Sequence, residues 1–280
     1  MKKAIVVLAF LLVFSMLGCA AAEQGDKPPL GRLTKLGVSE ETLNAKVAEG
    51  LIELPLFSGF RFFDTCDSMI AALDSGIVAA INVDEYMTGY LVSRTEGLVE
   101  FRSPDAYEYT LAFSMLLRAE DAELRDLISG AIADMKADGT IEALKARYID
   151  NVIAGSEPEA VVPERFDGAK TLRVALTGDR PPMDYFSADG NPVGFNTALV
   201  AEIARRLKVN VEFVSVSTGA RSFSLASNES DVVFWTEAGN FGNWENADTE
   251  DQPENTVVTE PYLTGELLYV VRADSPLAAR

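Results

Sequence analysis

The clearest pattern in the first half of the chain is a continuous apolar run, Ile77–Val83, bounded by Gly76 and Asp84. An apolar run of this length is typical of a buried, parallel strand. The segment Met87–Ser93 that follows it predicts a helix. Farther along, apolar residues recur at the spacing of one helix face: Leu124, Leu127, Ile128, Ile132 and Met135. The first half of the chain therefore predicts alternating strands and helices.

The second half repeats this alternation after a change in character at residues 151–170. That stretch carries proline and glycine without a clear hydrophobic period, and it predicts a linker. Apolar runs then predict four strands, and Leu199, Val200, Ile203 and Leu207 mark the face of a helix between the first two. The strands are Leu172–Leu176, Val211–Val216, Asp231–Trp235 and Leu267–Val271. Strands alternating with helices indicate an α/β fold with mostly parallel sheets.

The N-terminus predicts an exported protein. Two lysines precede the apolar stretch Ala4–Leu17, which is short for a membrane-spanning helix and has the form of a secretory signal. The sequence Ser15–Cys19 resembles a bacterial lipobox, in which the signal is cut before the cysteine and the cysteine carries lipid. A plain secretory signal is the alternative. We therefore expect a signal peptide at 1–19, lipidation at Cys19 and a tether at 20–33, so that only the lipid anchor contacts the membrane.

The composition narrows the possible functions. The chain has 43 acidic and 24 basic residues, a net charge of −19, which repels nucleic acid and anionic lipid. It has no histidine, so Ser-His-Asp and Cys-His catalysis are excluded and the most frequent metal ligand is absent. If Cys19 is lipidated, Cys66 is the one remaining cysteine and no internal disulfide forms. We expect no cofactor and no metal.

Several long motifs resemble one family. The segment TLRVALTGDRPPMDYFSADGNPVGFNTALVAEIARRLKVNVEFV, followed by SDVVFW and TEPYLTGELLYVVRADSP, is similar to the opening lobe of family 3 extracellular solute-binding proteins. The earlier segments TKLGVSEETLNAKV and FFDTCDSMIAALDSGIVAAINVDEYMTGYLV resemble that family's second lobe, and YTLAFSMLLRAEDAELRDLISGAIADMKADGTIEALKARYID resembles its closing helices. The resemblance implies the two-lobed type 2 periplasmic-binding-protein fold, an α/β fold with a hinge between lobes.

The order of these segments predicts a circular permutation, because the closing helices come before the opening strand. Permutation is tolerated where native termini lie close together at the surface. The alternatives are two half-domains of different origin, or lobes completed by swapping between chains. The expected divisions after the tether are lobe 2 at 34–115, the closing helices of lobe 1 at 116–150, the linker at 151–170 and the opening part of lobe 1 at 171–280.

The resemblance also implies a ligand site between the lobes. Asp84 matches the family aspartate that pairs with the ligand ammonium, although an acid at this position can equally cap the next helix. Arg180 lies where the family often has an aromatic residue, and its guanidinium could hold a carboxylate or phosphate. Tyr185 is a candidate for the cleft wall or for the core, and Met183 is expected to fill the core.

Further candidates come from two other segments. Trp235, Thr236 and Glu237 match residues that grip the ligand, with Glu237 as a possible contact for a cationic group or a solvated charge. In lobe 2, Ser39 and Thr42 open a predicted helix whose N-terminus could receive an anion. The family's Thr-Pro-Glu-Arg turn is altered: Asn243 or Asn255 falls where its arginine, the ligand's carboxylate partner, is expected. Arg180 could replace that arginine from the opposite side of the cleft. The acidic stretch 245–254 lacks the order of a calcium loop and predicts a solvated loop.

These residues favour an extracytoplasmic receptor for a small polar solute such as an amino acid, with an ABC importer permease as partner. One alternative is a binding fold that has lost its solute and serves a sensory or protein-interaction role. Another is a dehydratase-like enzyme in which Asp84 or Glu237 is the acid.

Overall fold

The structure is a computed structural model that describes residues 35–39, 57, 60–102, 110–239 and 252–279. Within these ranges, no helix is long and apolar enough to cross a membrane. The described strands are, in chain order, β1 Lys35–Ser39, β2 Phe60–Phe63, β3 Val78–Asp84, β4 Leu98–Phe101, β5 Thr110–Arg118, β6 Thr171–Leu176, β7 Asp179–Arg180, β8 Asp184–Phe186, β9 Pro192–Val193, β10 Asn210–Ser215, β11 Val232–Gly239, β12 Thr256–Val258 and β13 Leu263–Arg272.

The described helices lie between these strands and mostly cover the sheets on the outside. They are α1 Cys66–Asp74, α2 Glu85–Arg94, α3 Ala122–Ala137, α4 Thr140–Lys145, α5 Asn151–Ile153, α6 Phe195–Leu207 and α7 Arg221–Ala226, with a π-helical turn at Ala146–Asp150 and 3₁₀ turns at Ala119–Asp121 and Thr218–Ala220. The predicted helix face of α3 is confirmed for Ile128, Ile132 and Met135, which are buried. The prediction was wrong for Leu127, which is 57% exposed.

Three short strands form a small antiparallel sheet in the order β7-β8-β9. The other ten described strands form two sheets that are continuous with each other through β13 and have the same internal order. In one sheet the order is β2-β1-β3-β13-β4, and in the other it is β10-β6-β11-β5-β12. In each sheet the first three strands are parallel. The fourth strand is antiparallel to the third: β13 to β3 in one sheet, and β5 to β11 in the other. In both sheets this fourth strand comes from the other half of the chain than the first three. Lobe 2 comprises β1–β4 with α1 and α2, and lobe 1 comprises β5–β12 with α3–α7. The fold is therefore α/β and two-lobed.

Two strands join the lobes. Along β13, residues 263–266 pair with β5 of lobe 1, while residues 267–270 pair with β3 of lobe 2. A single extended strand thus passes from one sheet into the other. The chain enters lobe 1 at β5 and leaves it at β13, so the paired strands β5 and β13 form the hinge between the lobes.

The hydrophobic core continues across this hinge. A large cluster of buried side chains fills lobe 1. It also includes Tyr86 from helix α2 of lobe 2 and Tyr269 from the part of β13 that belongs to the lobe 2 sheet. A second cluster lies inside lobe 2, between α1, β3 and α2, and contains Met69, Leu73 and Met87. Because apolar contacts extend from one lobe into the other, the two lobes stabilise each other.

The linker predicted at 151–170 begins with the last helical turn, α5, and then runs along lobe 1. Ala160 forms a bridge with Val193 of β9, and Val161 is buried. From lobe 2, the Arg94 guanidinium donates to the backbone oxygens of Val152 and Ser156, 2.9 and 2.6 Å away. This segment is therefore part of the contact between the lobes.

Asp231 anchors the edge of lobe 1 where β6, β11 and β5 meet. Its carboxylate accepts hydrogen bonds from the Arg173 side chain and backbone N–H and from Arg118, at 2.6 to 3.0 Å. Burial raises the pKa of Asp231, but these hydrogen bonds and charges outweigh burial, and the pKa is lowered overall.

We expect Asp231 to contribute to acid sensitivity. A lowered pKa in the folded state stabilises the protein fully above the unfolded-state pKa of about 3.9, and this stabilisation is lost as pH falls through the folded value. In urea unfolding, the midpoint difference between wild type and Asp231→Asn should be largest at pH 6–7 and shrink at pH 3. An equal difference at both pH values would contradict this assignment.

Candidate functional site

The sequence left two roles open for Asp84, contact with a ligand or a cap for the next helix, and its position in the structure bears on both. It is the last residue of β3, at the carboxyl end of a parallel strand, and it precedes α2. Its Oδ1 accepts a hydrogen bond from the backbone N–H of Met87 at 2.9 Å, so the capping role is present. Its Oδ2 accepts from the Arg180 guanidinium at 3.1 Å. The side chain is 1% exposed. Because its two oxygens have different partners, the one carboxylate both caps α2 and contacts lobe 1.

Arg180 comes from the opposite lobe, after the carboxyl end of β6. It lies in β7, which pairs with β8 so that Arg180 faces Asp184 in register. Its side chain is 8% exposed. Two residues proposed independently as ligand contacts therefore contact each other across the cleft. An ion pair with such limited exposure is little screened by solvent.

A buried polar network holds this part of lobe 1 in place. The Asp184 carboxylate accepts from the Thr177 hydroxyl at 3.1 Å and from the Asn196 amide at 2.8 Å. Asn196 in turn accepts from the Tyr262 hydroxyl at 2.9 Å. The network ties β8, the start of α6 and the entry to β13 together, and it thereby fixes the loop that carries Arg180.

Asp179 is a site residue that the sequence analysis missed. Its Oδ2 accepts from the backbone N–H of Cys66, 2.8 Å away in the first turn of α1, and thus forms a further polar contact between the lobes. The preceding Gly178 has φ +76°, and a Cβ there would meet the Phe186 ring. The adjacent opposite charges of Asp179 and Arg180 were the available sequence signal, but adjacency alone does not show that both reach the other lobe.

Tyr185 forms part of the same interface. It is buried on β8, and its ring meets the ring of Tyr90 from lobe 2 edge-on, with centroids 6.0 Å apart. Burial raises the pKa of Tyr185, and its hydroxyl has no hydrogen-bond partner in the part of the chain that the structure describes. Met183 is buried in the lobe 1 core, as predicted.

Trp235 and Thr236 lie in the middle of β11, opposite Ser114 and Phe113 of the hinge strand β5. The half-buried Trp235 ring lies 5.7 Å from the Arg221 guanidinium, which donates to the backbone oxygen of Phe234 at 2.7 Å. The Trp235 Nε1–H and the Ser114 hydroxyl are buried and have no hydrogen-bond partner among the residues that the structure describes. The middle of β11 therefore pairs with the hinge strand, and a role for Trp235 and Thr236 in binding stays a prediction.

The remaining candidates are partly or wholly outside the described residues. Glu237 and Ser39 have described backbones that pair with Ala112 and Phe63, respectively, while their side chains are not described. Thr42, Cys19 and Asn243 lie outside the described residues. Asn255 forms a turn with φ 59°, and its backbone oxygen accepts from Ala119 N at 2.8 Å. In the described ranges no cluster of acidic or cysteine side chains could hold a metal ion.

Comparison with known proteins supports the motif assignment. Residues 172–277 match the profile of bacterial extracellular solute-binding proteins, family 3. Histidine-binding periplasmic proteins of Salmonella typhimurium and Escherichia coli K12 are 31% and 30% identical over 125 residues, which are 42% of this chain and 46% of each relative. The chain thus spans about half the length of the curated relatives it matches.

Solved structures resemble the chain more weakly. Tv2483 bound to L-arginine is 16% identical, with a TM-score of 0.43 over 88% of this chain and 80% of that one. The reduced OxyR regulatory domain of Pseudomonas aeruginosa is 11% identical, with a TM-score of 0.43 over 90% and 94% of the two chains. The family resemblance is confirmed by the profile match and the curated relatives.

Proposed function

We propose that this chain, a family 3 extracellular solute-binding protein by its match over residues 172–277, captures a small polar solute such as an amino acid between its lobes. The observation that carries the proposal is the pair of equivalent sheets joined by β5 and β13, with charged side chains at facing strand ends. In such α/β sheets, ligands bind beyond the carboxyl ends of the strands. Hinge motion at two crossing strands can open and close such a cleft.

The remaining parts of the proposal concern where the protein is located and which transport protein it works with. The periplasmic relatives favour an extracytoplasmic location. The lipobox-like sequence supports a lipid anchor at Cys19, and an ABC permease is the partner that a captured solute would require for import. Binding alone requires no chemical step, and we propose no enzymatic activity.

Circular permutation is part of the same proposal. The chain forms β1–β4 of lobe 2 before it enters lobe 1, and among the described strands that follow, β13 is the one that returns to the lobe 2 sheet. Residues 154–170 connect α5 to β6, and both of these elements lie in lobe 1. A short connection within one lobe, between elements that would otherwise be termini, is what a permutation requires.

A thermal-shift titration tests solute binding. The chain without residues 1–19 is mixed with amino acids, amines, dicarboxylates and small peptides. A solute at one hundred times its dissociation constant should stabilise the fold by about 2.7 kcal/mol, a rise in Tm of several degrees. Trp235→Phe, which keeps an aromatic side chain but replaces the indole and removes its N–H, is the matched variant for the middle of β11. A folded protein that shows no saturable shift with any compound would contradict the proposal.

A sensory or protein-interaction module is the second candidate, and one observation favours it. Asp84 and Arg180, the residues expected to meet the charges of a solute, meet each other. The absence of any saturable shift in the same titration would support this candidate.

A further inference from the structure

The contact between Asp84 and Arg180 has the form of an occupied binding site. Asp84 is buried at a strand end, its Oδ1 is taken by the cap of α2, and its Oδ2 points at a cation 3.1 Å away. That cation is carried by lobe 1 on the two-residue strand β7. The guanidinium therefore lies where a positively charged group from outside the protein would otherwise have to lie.

The neighbouring residue makes the complementary contact. Asp179 presents its carboxylate to the Cys66 N–H at the start of α1, where the helix dipole favours a negative charge. Two consecutive residues thus offer lobe 2 one negative and one positive group, the same two charges that an amino-acid zwitterion carries.

We propose that Arg180 is a tethered cation that fills a cation subsite at Asp84 and determines which solutes can reach it. While the pair is formed, a solute ammonium has no access to the Asp84 carboxylate. When the guanidinium is removed, the buried carboxylate lacks a counterion, which is strongly unfavourable, and a small free cation with N–H donors occupies the vacated space. The ligand class of the subsite is guanidinium and small alkylammonium ions.

The statement about specificity rests on the proposed solute-binding function, whereas the cation subsite does not. For this reason the experiment uses small cations as probes and no solute. The result of the small-cation experiment can therefore be interpreted even if the solute titration shows no binding.

The experiment measures the Tm of the chain without residues 1–19 as wild type, Arg180→Ala and the double variant Asp84→Asn/Arg180→Ala. Guanidinium or methylammonium chloride is added at 1–20 mM, a range chosen as roughly a hundredfold below denaturing concentrations, against equal concentrations of sodium and tetramethylammonium chloride. In Arg180→Ala, a cation at about ten times its dissociation constant should raise Tm by about 3–5 °C in a saturable way. Wild type and the double variant should shift by less than 1 °C.

The double variant is the decisive control, because asparagine retains a cap for α2 and the same space is vacated, but the negative charge is gone. An equal response in Arg180→Ala and the double variant would overturn the proposal. Arg180→Gln, which fills more of the space, provides the test if the alanine variant does not fold. No cation-specific shift in any folded Arg180 variant would also overturn the proposal.

Discussion

Replacing Asp84 with alanine is expected to lower the free energy of unfolding by about 3–5 kcal/mol. The substitution removes the buried carboxylate that lies 3.1 Å from the Arg180 guanidinium in the native protein. It also removes the acceptor that caps α2 at Met87, a loss of about 1 kcal/mol in itself. Urea unfolding followed by circular dichroism measures the change.

Asp84→Asn separates the two contributions. Asparagine still accepts the hydrogen bond from Met87 but carries no charge, so its effect reports the ion pair with little change in the cap. We expect both variants to be clearly destabilised, with alanine the worse of the two. A loss below about 1 kcal/mol in Asp84→Ala would show that the pair contributes as little as an exposed salt bridge and would contradict a buried ion pair between the lobes.

Replacing Phe113 with alanine is expected to cost about 3–5 kcal/mol. Phe113 lies on the hinge strand β5 and is 2% exposed. Its ring packs against Tyr86 of lobe 2, at a centroid distance of 5.7 Å, and against Tyr262 at the start of β13, at 6.5 Å. The cavity left by alanine therefore opens where the two lobes share their core, and the surrounding side chains can relax only in part.

Phe223→Ala is the matched control, since Phe223 is 69% exposed and the same atoms are removed. Surface substitutions of this kind usually change stability by less than about 0.5 kcal/mol. The shape of the transition is also informative: in Phe113→Ala, unfolding monitored by tryptophan fluorescence and by circular dichroism should cease to coincide if the lobes separate before they unfold. Equal effects of the two substitutions would contradict a shared core at the hinge.

Both predictions concern the coupling of the lobes, and this coupling bears on function. A solute receptor must close around its ligand, and the free energy available for closure depends on what already holds the lobes together. Here the described contacts include β5–β13 pairing, the Asp84–Arg180 pair, the Asp179–Cys66 hydrogen bond and the Tyr90–Tyr185 ring contact.

Much of the fold could be predicted from the pattern of residues. The apolar run Ile77–Val83 becomes β3, and the predicted helix Met87–Ser93 becomes α2 with one to two more residues at each end. The strands Leu172–Leu176 and Val211–Val216 became β6 and β10 within one residue at either end. These assignments succeed because hydrophobic periodicity is a property of neighbouring residues along the chain.

Individual exposures were harder to predict. Leu127 has the spacing of the buried face of α3 but is exposed, because helical spacing places a residue on a face without determining where that face meets its neighbours. Asp179 was missed for a similar reason. Its partner is a backbone N–H in the other lobe. Because every residue except proline has this group, the sequence does not show which one serves as the partner.

The α/β alternation, the acidic and histidine-free character, the family motifs and the candidates Asp84 and Arg180 can all be read from the order of residues. The pairing of these two candidates with each other is visible only in the folded chain. They are 96 residues apart along the chain, and their distance depends on two strand ends that meet across the cleft. Sequence patterns encode local preference and burial, whereas the pairing of charges depends on how the crossing strands β5 and β13 bring one lobe against the other.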